Sequence, residues 1–162
     1  MGMVLVLRAV DEKEARTLAG DPDNWEDFLI DEDDDADEVD FDKAWHVLHF
    51  CLVGCADPVA HPLSLFGCGE SIGHELGYGS AILWVPEHVR AFRDELAKLS
   101  DQDLRERYDP VEMAKQNVYL AKTLADEPIN ESWEYVAQGL AALRKFADRS
   151  VENGQAVISH IS

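Results

Sequence analysis

Ser80-Ala81-Ile82-Leu83-Trp84-Val85 runs straight into Pro86-Glu87-His88-Val89, and the two halves ask for different backbones. The first is a short apolar run with β-branched and aromatic members, the composition of a buried strand. Pro86 has no amide hydrogen to lose and a φ already suited to a first helical turn. It therefore opens a helix through Lys98, with Val89, Phe92 and Leu96 inward. Toward the N-terminus, Met3-Val4-Leu5-Val6-Leu7-Arg8-Ala9 reads as a second buried strand. Asp11 and Glu14 behind it form a capping box for a helix through Leu18, stopped by Gly20-Asp21-Pro22. Toward the C-terminus, Asn130 can cap a long helix whose Trp133, Val136, Leu140, Leu143 and Ala147 keep one face apolar. Asn153-Gly154 then turns the chain into a last strand, residues 155–161, where Ala156, Ile158 and His160 alternate with Val157, Ser159 and Ile161. The expected fold is α+β: a small central sheet of about three strands (N-terminal, middle and C-terminal) packed with several helices. No internal repeat and no Rossmann-like run of βαβ units is visible.

Between these elements the pattern weakens. Trp25, Phe28 and Leu29 suit a short helix. Asp31 to about Asp40 has almost nothing to bury and reads as a solvated, mobile loop. Asp42 is a good N-cap for a helix whose Trp45, Leu48, His49 and Leu52 share one face, and Gly54 ends it. From Ala56 to Gly79 turn residues dominate, with a brief helical possibility at 62–66, so a long irregular connection is expected. Such connections are often functional. Ser100 and Asp109-Pro110 start two further short helices.

At 162 residues, 46% of them hydrophobic, the chain fits one domain spanning 1–162. No run is long and apolar enough to cross a bilayer, and the N-terminus lacks a basic stretch ahead of an apolar one. Val6 stands where myristoylation wants Ser or Thr. Cys51, Cys55 and Cys68 form no CxxC pair and leave one over, which suits free thiols and places the chain in the cytoplasm. The formal charge is −19, and the segment Asp21 to Asp42 holds 13 of the 33 acids with no Lys or Arg. Such a field repels nucleic acid and anionic membranes and steers a basic protein toward the chain.

Several stretches resemble one family. They are Met1-Gly2-Met3, Trp45-His46-Val47-Leu48-His49-Phe50 followed by Leu52 and Gly54, and Pro62-Leu63-Ser64. Leu76-Gly77-Tyr78-Gly79 leading to Trp84-Val85-Pro86-Glu87, Tyr108-Asp109-Pro110 and Gly154-Gln155-Ala156-Val157 complete the set. Together they resemble the YfbM-like bacterial proteins (DUF1877), a family of unknown function, over most of the chain apart from the acidic insert. The resemblance implies a compact α+β domain and supplies no activity. One departure is Tyr119-Leu120, where the family usually shows Tyr-Pro.

Chemistry-bearing residues are sparse. His49 sits on an apolar helix face, where an imidazole must find a partner or shift its pKa. It is read first as a core histidine bonded to a nearby carbonyl, and otherwise as a base or ligand contact. His46 and His49 with Cys51 and Cys55 offer no zinc spacing, so no metal is expected. Asp31, Asp33 and Asp35 match calcium-loop positions 1, 3 and 5, but Ala36 and Asp42 stand where a glycine and a bidentate Glu belong. The glycines from 67 to 73 form neither GxGxxG nor a P-loop, and Ser64 lacks a nucleophile elbow, so no cofactor is expected and the balance leans away from an enzyme without closing that alternative.

Two functions remain. The first is an acidic, immunity-like binding module that engages a basic protein through Asp33, Asp34, Asp35, Asp37 and Glu38. The alternative is a small-molecule or enzymatic pocket beneath the glycine-rich loop 67–79, centred on His49, with Trp45, Ser64, Tyr78 and Trp84 around it.

Overall fold

Strand, helix and strand alternate until the chain has built a five-stranded sheet, and every pairing in it is antiparallel. The computed structural model describes residues 2–31 and 37–162. In chain order the elements are β1 Leu5–Val10, α1 Glu12–Ala19, α2 Pro22–Ile30, β2 Glu38–Asp40, a 3-10 turn Asp42–Ala44 and α3 Trp45–Val53. They continue with β3 Glu70–Glu75, β4 Ser80–Trp84, α4 Pro86–Ala97, α5 Asp101–Arg107 and α6 Pro110–Lys115. The chain closes with α7 Ala121–Ala125, α8 Ile129–Glu152 and β5 Ala156–Ile161. The sheet order is β2-β1-β5-β4-β3, so the last strand lies in the middle.

Alternation along the strands sorts side chains onto two faces. Leu5, Leu7, Ala9, Trp84 and Val157 face the large core, which α3 through α8 complete. Val10, Ala81, Leu83, Ala156 and Ile158 face a smaller one closed by Ala15 of α1 and Trp25 and Leu29 of α2. The α+β class and the three expected strands are present, but three is too few. β2 carries a single buried residue, Val39, and β3 only Ile72, so neither shows the apolar alternation that betrays a strand. Both are edge strands, held by the free edges of β1 and β4 rather than by their own burial.

These strands correct two expectations. The acidic loop at 31–40 ends three residues early, because Glu38–Asp40 pairs with β1, and residues 32–36 lie outside the described set. The irregular stretch 56–79 contains a strand: Glu70–Glu75 pairs with β4, with a bulge between Ile72 and Glu75. At that bulge Gly73 has φ +69 and lies under the Trp25 indole, where a Cβ would come within 2.1 Å of Nε1. Only glycine satisfies both the left-handed backbone and the contact. No helix forms at 62–66.

Local chemistry accounts for most of the helix ends. Asp11 accepts from the Glu14 amide at 3.0 Å, and Ser100 and Asp103 form a reciprocal capping box. Pro86 and Pro110 open α4 and α6 as expected. Asp42 does not cap α3. It sits in the 3-10 turn at φ +47, and its carboxylate instead accepts from the Tyr135 hydroxyl at 2.8 Å. α8 begins at Ile129 without a side-chain cap from Asn130. α3 is buried on nearly every side, Val47 and Cys51 as well as Trp45, Leu48, His49 and Leu52. A helix without a single charged residue becomes the centre of the core rather than its lining.

Candidate functional site

α3 carries two histidines three residues apart, and both serve as backbone clamps. His46 Nε2 donates to the Ala56 carbonyl at 2.7 Å, while its Nδ1 accepts from the Tyr119 amide at 2.9 Å. His49 Nε2 donates to the Asp57 carbonyl at 3.1 Å, and its Nδ1 accepts from the Leu65 amide at 3.2 Å. With one nitrogen donating and the other accepting, each ring is neutral. Burial pushes both below the ordinary value of 6.5, His49 to about 4. His49 is completely buried and both its nitrogens are committed, so no atom of the ring is free for a ligand.

Three of the five expected pocket residues gather here, and two do not. Trp45 Nε1 donates to the Met3 carbonyl, and its ring meets Phe66 edge-on at 5.2 Å. Ser64 is buried, its hydroxyl donating to the Phe66 carbonyl at 2.6 Å. Trp84 lies in the large core, stacked on His88 and tilted against Phe92. Tyr78 is exposed on the turn joining β3 to β4. Trp45 and His49 thus tie the irregular segment 54–66 to α3, and Ser64 braces that segment from within.

Open space lies where β5 finishes, between two clefts. One, of about 220 Å³, opens beneath the glycine-rich segment, with Phe66, Gly67, Tyr78, Ile82 and His160 in its walls. The other, of about 210 Å³, lies on the α2 face between Leu29, Ile30, Leu76, His160 and Ile161, with Glu26 and Glu75 at its edge. His160 borders both. It is 6% exposed, and its buried Nδ1 has no partner among the described residues. Burial, and then the charge of Arg8, hold its pKa near 4. Arg8 is itself buried, its guanidinium 4.7 Å above the Phe28 ring and donating to the Phe28 carbonyl at the end of α2. Sequence reasoning singled out neither residue for chemistry. The signal was present only as register: Val6 pairs with His160 and Arg8 with Ile158, which places the two charge-bearing side chains diagonally on one face.

The acidic segment divides. Asp37 is held by Arg149 at 2.6 Å, and Glu38 is exposed on the edge strand. Asp33, Asp34 and Asp35 lie outside the described residues. Among the described acids from Asp21 to Asp42, Asp37 alone meets a Lys or Arg, and Glu26 meets His74 at 2.8 Å. The other acids on α2 and β2 face outward without a basic counterpart. Among the described residues, no three His, Cys, Asp or Glu side chains are placed to hold a metal ion, and no helix is long and apolar enough to cross a membrane. The three cysteines are free, and burial pushes the Cys51 thiol up to about 12.

An antiparallel sheet with its C-terminal strand in the middle, α1 and α2 on one side and six helices on the other, defines an α+β protein. A family model for a domain of unknown function, DUF1877, matches residues 1–160, and the chain belongs to that family. Among solved structures it resembles the crystal structure of YfbM from Escherichia coli, a protein of unknown function, with a TM-score of 0.74. The two are 22% identical, and the match covers 98% of this chain and 99% of that one, so what it shows is a shared fold. No curated protein matches the chain.

Proposed function

We propose that this is an acidic protein-binding module of the cytoplasm that captures a basic protein through the α2–β2 face, in the manner of an immunity protein. The observation that carries this reading is the set of outward carboxylates on α2 and β2 that no Lys or Arg among the described residues neutralises. Unpaired surface charge of one sign contributes nothing to folding, yet it steers an oppositely charged partner into contact and raises its association rate at low salt. The same field disfavours nucleic acid and anionic membranes. The absence of any assembled nucleophile and base among the candidate residues supports a binding role over an enzymatic one.

The test replaces Asp33, Asp34, Asp35 and Glu38 with Ser, leaving Asp37 because Arg149 already holds it. Partners recovered from native lysate are identified, and their association rates are measured against salt. The substitution is expected to slow capture several-fold at low salt and to make no difference at high salt. Recovery of no salt-sensitive basic partner would end this reading.

A further inference from the structure

The cleft on the α2 face gives the acidic surface something charge alone lacks, a place for a side chain to enter. At about 210 Å³ it falls below the roughly 300–1,000 Å³ of pockets that enclose cofactors or drug-sized ligands. It has room for about one large side chain. Its walls are apolar, from Leu29, Leu76 and Ile161, and Ile30 stands 67% exposed beside it, the most exposed of the large hydrophobic residues. Its edge is acidic: Glu26 and Glu75 border it directly. Asp27 lies on the same helix as Glu26, and Asp31 follows Ile30 at that helix's end.

From this geometry we propose that the cleft is the anchor site for a basic peptide segment of the partner: one aromatic or large aliphatic side chain fills it while flanking Lys or Arg residues meet Glu26, Glu75 and the acids of α2. The inference rests on the basic-partner reading above and adds the chemistry of the contacting segment. An apolar anchor inside a ring of charge is how binding energy usually concentrates at an interface, the anchor contributing affinity and the charged rim contributing rate and selectivity. His74 meets Glu26 at 2.8 Å, a contact that a partner's Lys or Arg would replace, and Arg8 does not oppose this arrangement. Arg8 is covered by the Phe28 ring and bonded to the Phe28 carbonyl, and it is not among the lining residues. His160, at the inner wall, is neutral near pH 7 because burial holds its pKa near 4.

The probe is an array of dodecapeptides of Lys, Arg, Gly and Ser, each with one central Trp, Phe, Leu or Ser, together with acidic counterparts, measured by fluorescence anisotropy on the full chain. Basic peptides with a central Trp or Phe are expected to bind at least about ten-fold tighter than those with Ser. Ile30→Ser, at an exposed position that leaves the fold intact, is expected to remove most of that preference. Glu26→Lys is expected to weaken every basic peptide several-fold at low salt; thermal melts confirm that both variants fold. Equal binding of Trp and Ser peptides, or a Trp preference that survives Ile30→Ser, overturns the anchor while leaving the acidic module standing. Basic peptides that bind no better than acidic ones overturn both.

Discussion

The two faces of the sheet differ in how they hold His46 and His49 on one side and His160 and the acids on the other. On the α3 side, half-buried His46 and fully buried His49 are neutral, each ring bonded to backbone at both nitrogens. On the α2 side the covering layer is two helices, α1 and α2, and it leaves carboxylates without a Lys or Arg and a buried His160 Nδ1 without a partner among the described residues, with a cleft open at its end. A histidine on an apolar helix face is the residue type that first suggests catalysis, yet here both nitrogens of His49 are committed to backbone. Buried polar atoms without a partner among the described residues occur on both sides, Trp84 Nε1, His88 Nε2 and the Ser150 hydroxyl on the α3 side as well as Trp25 Nε1 and His160 Nδ1 on the α2 side, so what marks the α2 face is its outward carboxylates beside an open cleft.

The strongest way to break that contrast is to remove a clamp. His49→Ala leaves the Asp57 carbonyl and the Leu65 amide without their partner and opens a cavity against α3, and it should cost about 3–5 kcal/mol of unfolding free energy in urea. His49→Gln, which can still donate and accept, should recover part of the loss. If the alanine variant unfolded within about 1 kcal/mol of the parent, the ring would not be structural and a ligand role would reopen.

A comparable loss is expected from the α2 side, by a different mechanism. Gly73→Ala forces a Cβ into the Trp25 indole and a side chain onto a left-handed backbone, and about 2–3 kcal/mol should be lost in the same titration. Since Trp25 anchors α2, hydrogen exchange should show α2 loosening first while α3 keeps its protection.

Protonation distinguishes the faces more finely. His49 and His160 titrate near 4 in the folded chain against an ordinary 6.5, so between those values the unfolded chain binds protons that the folded one refuses. Their contribution is complete above pH 6.5 and falls as the pH drops toward 4, by about 1.4 kcal/mol per pH unit for each fully neutral ring. Relief of repulsion within a chain of net charge −19 opposes this trend, so the raw profile mixes two effects. His160→Gln isolates one of them. The variant should lose less stability than the parent between pH 7 and pH 5, and an unchanged difference would mean that His160 is solvated rather than buried.

What could be read from the chain follows the same division. β1, β4, β5 and α4 were legible because each carries its own reason: an apolar run, a proline at the first helical position, a glycine turn. β2 and β3 were not, since Glu38-Val39-Asp40 and Glu70-Ser71-Ile72-Gly73-His74-Glu75 become strands only by accepting the free edges of β1 and β4. Burial of His49 was legible from its helical spacing. Its partners were not, because Asp57 and Leu65 belong to an irregular segment whose path no local rule specifies. Arg8 and His160 meet only through strand register, a property of the assembled sheet.

The smallest expected effect bears most directly on function. Changing Asp23, Asp27 and Asp31 together to Asn removes three exposed charges that no basic side chain among the described residues opposes, and stability should move by no more than about 0.5 kcal/mol, toward greater stability. Urea unfolding at low and at high salt checks this, with the gain shrinking as salt screens the repulsion that remains. A clear loss of stability instead would mean that these carboxylates bond to groups the fold requires, and the α2 face would then resemble the α3 face. A gain would leave the acids as charges that folding does not need. Such charges are free to serve as a surface that a cationic partner can find.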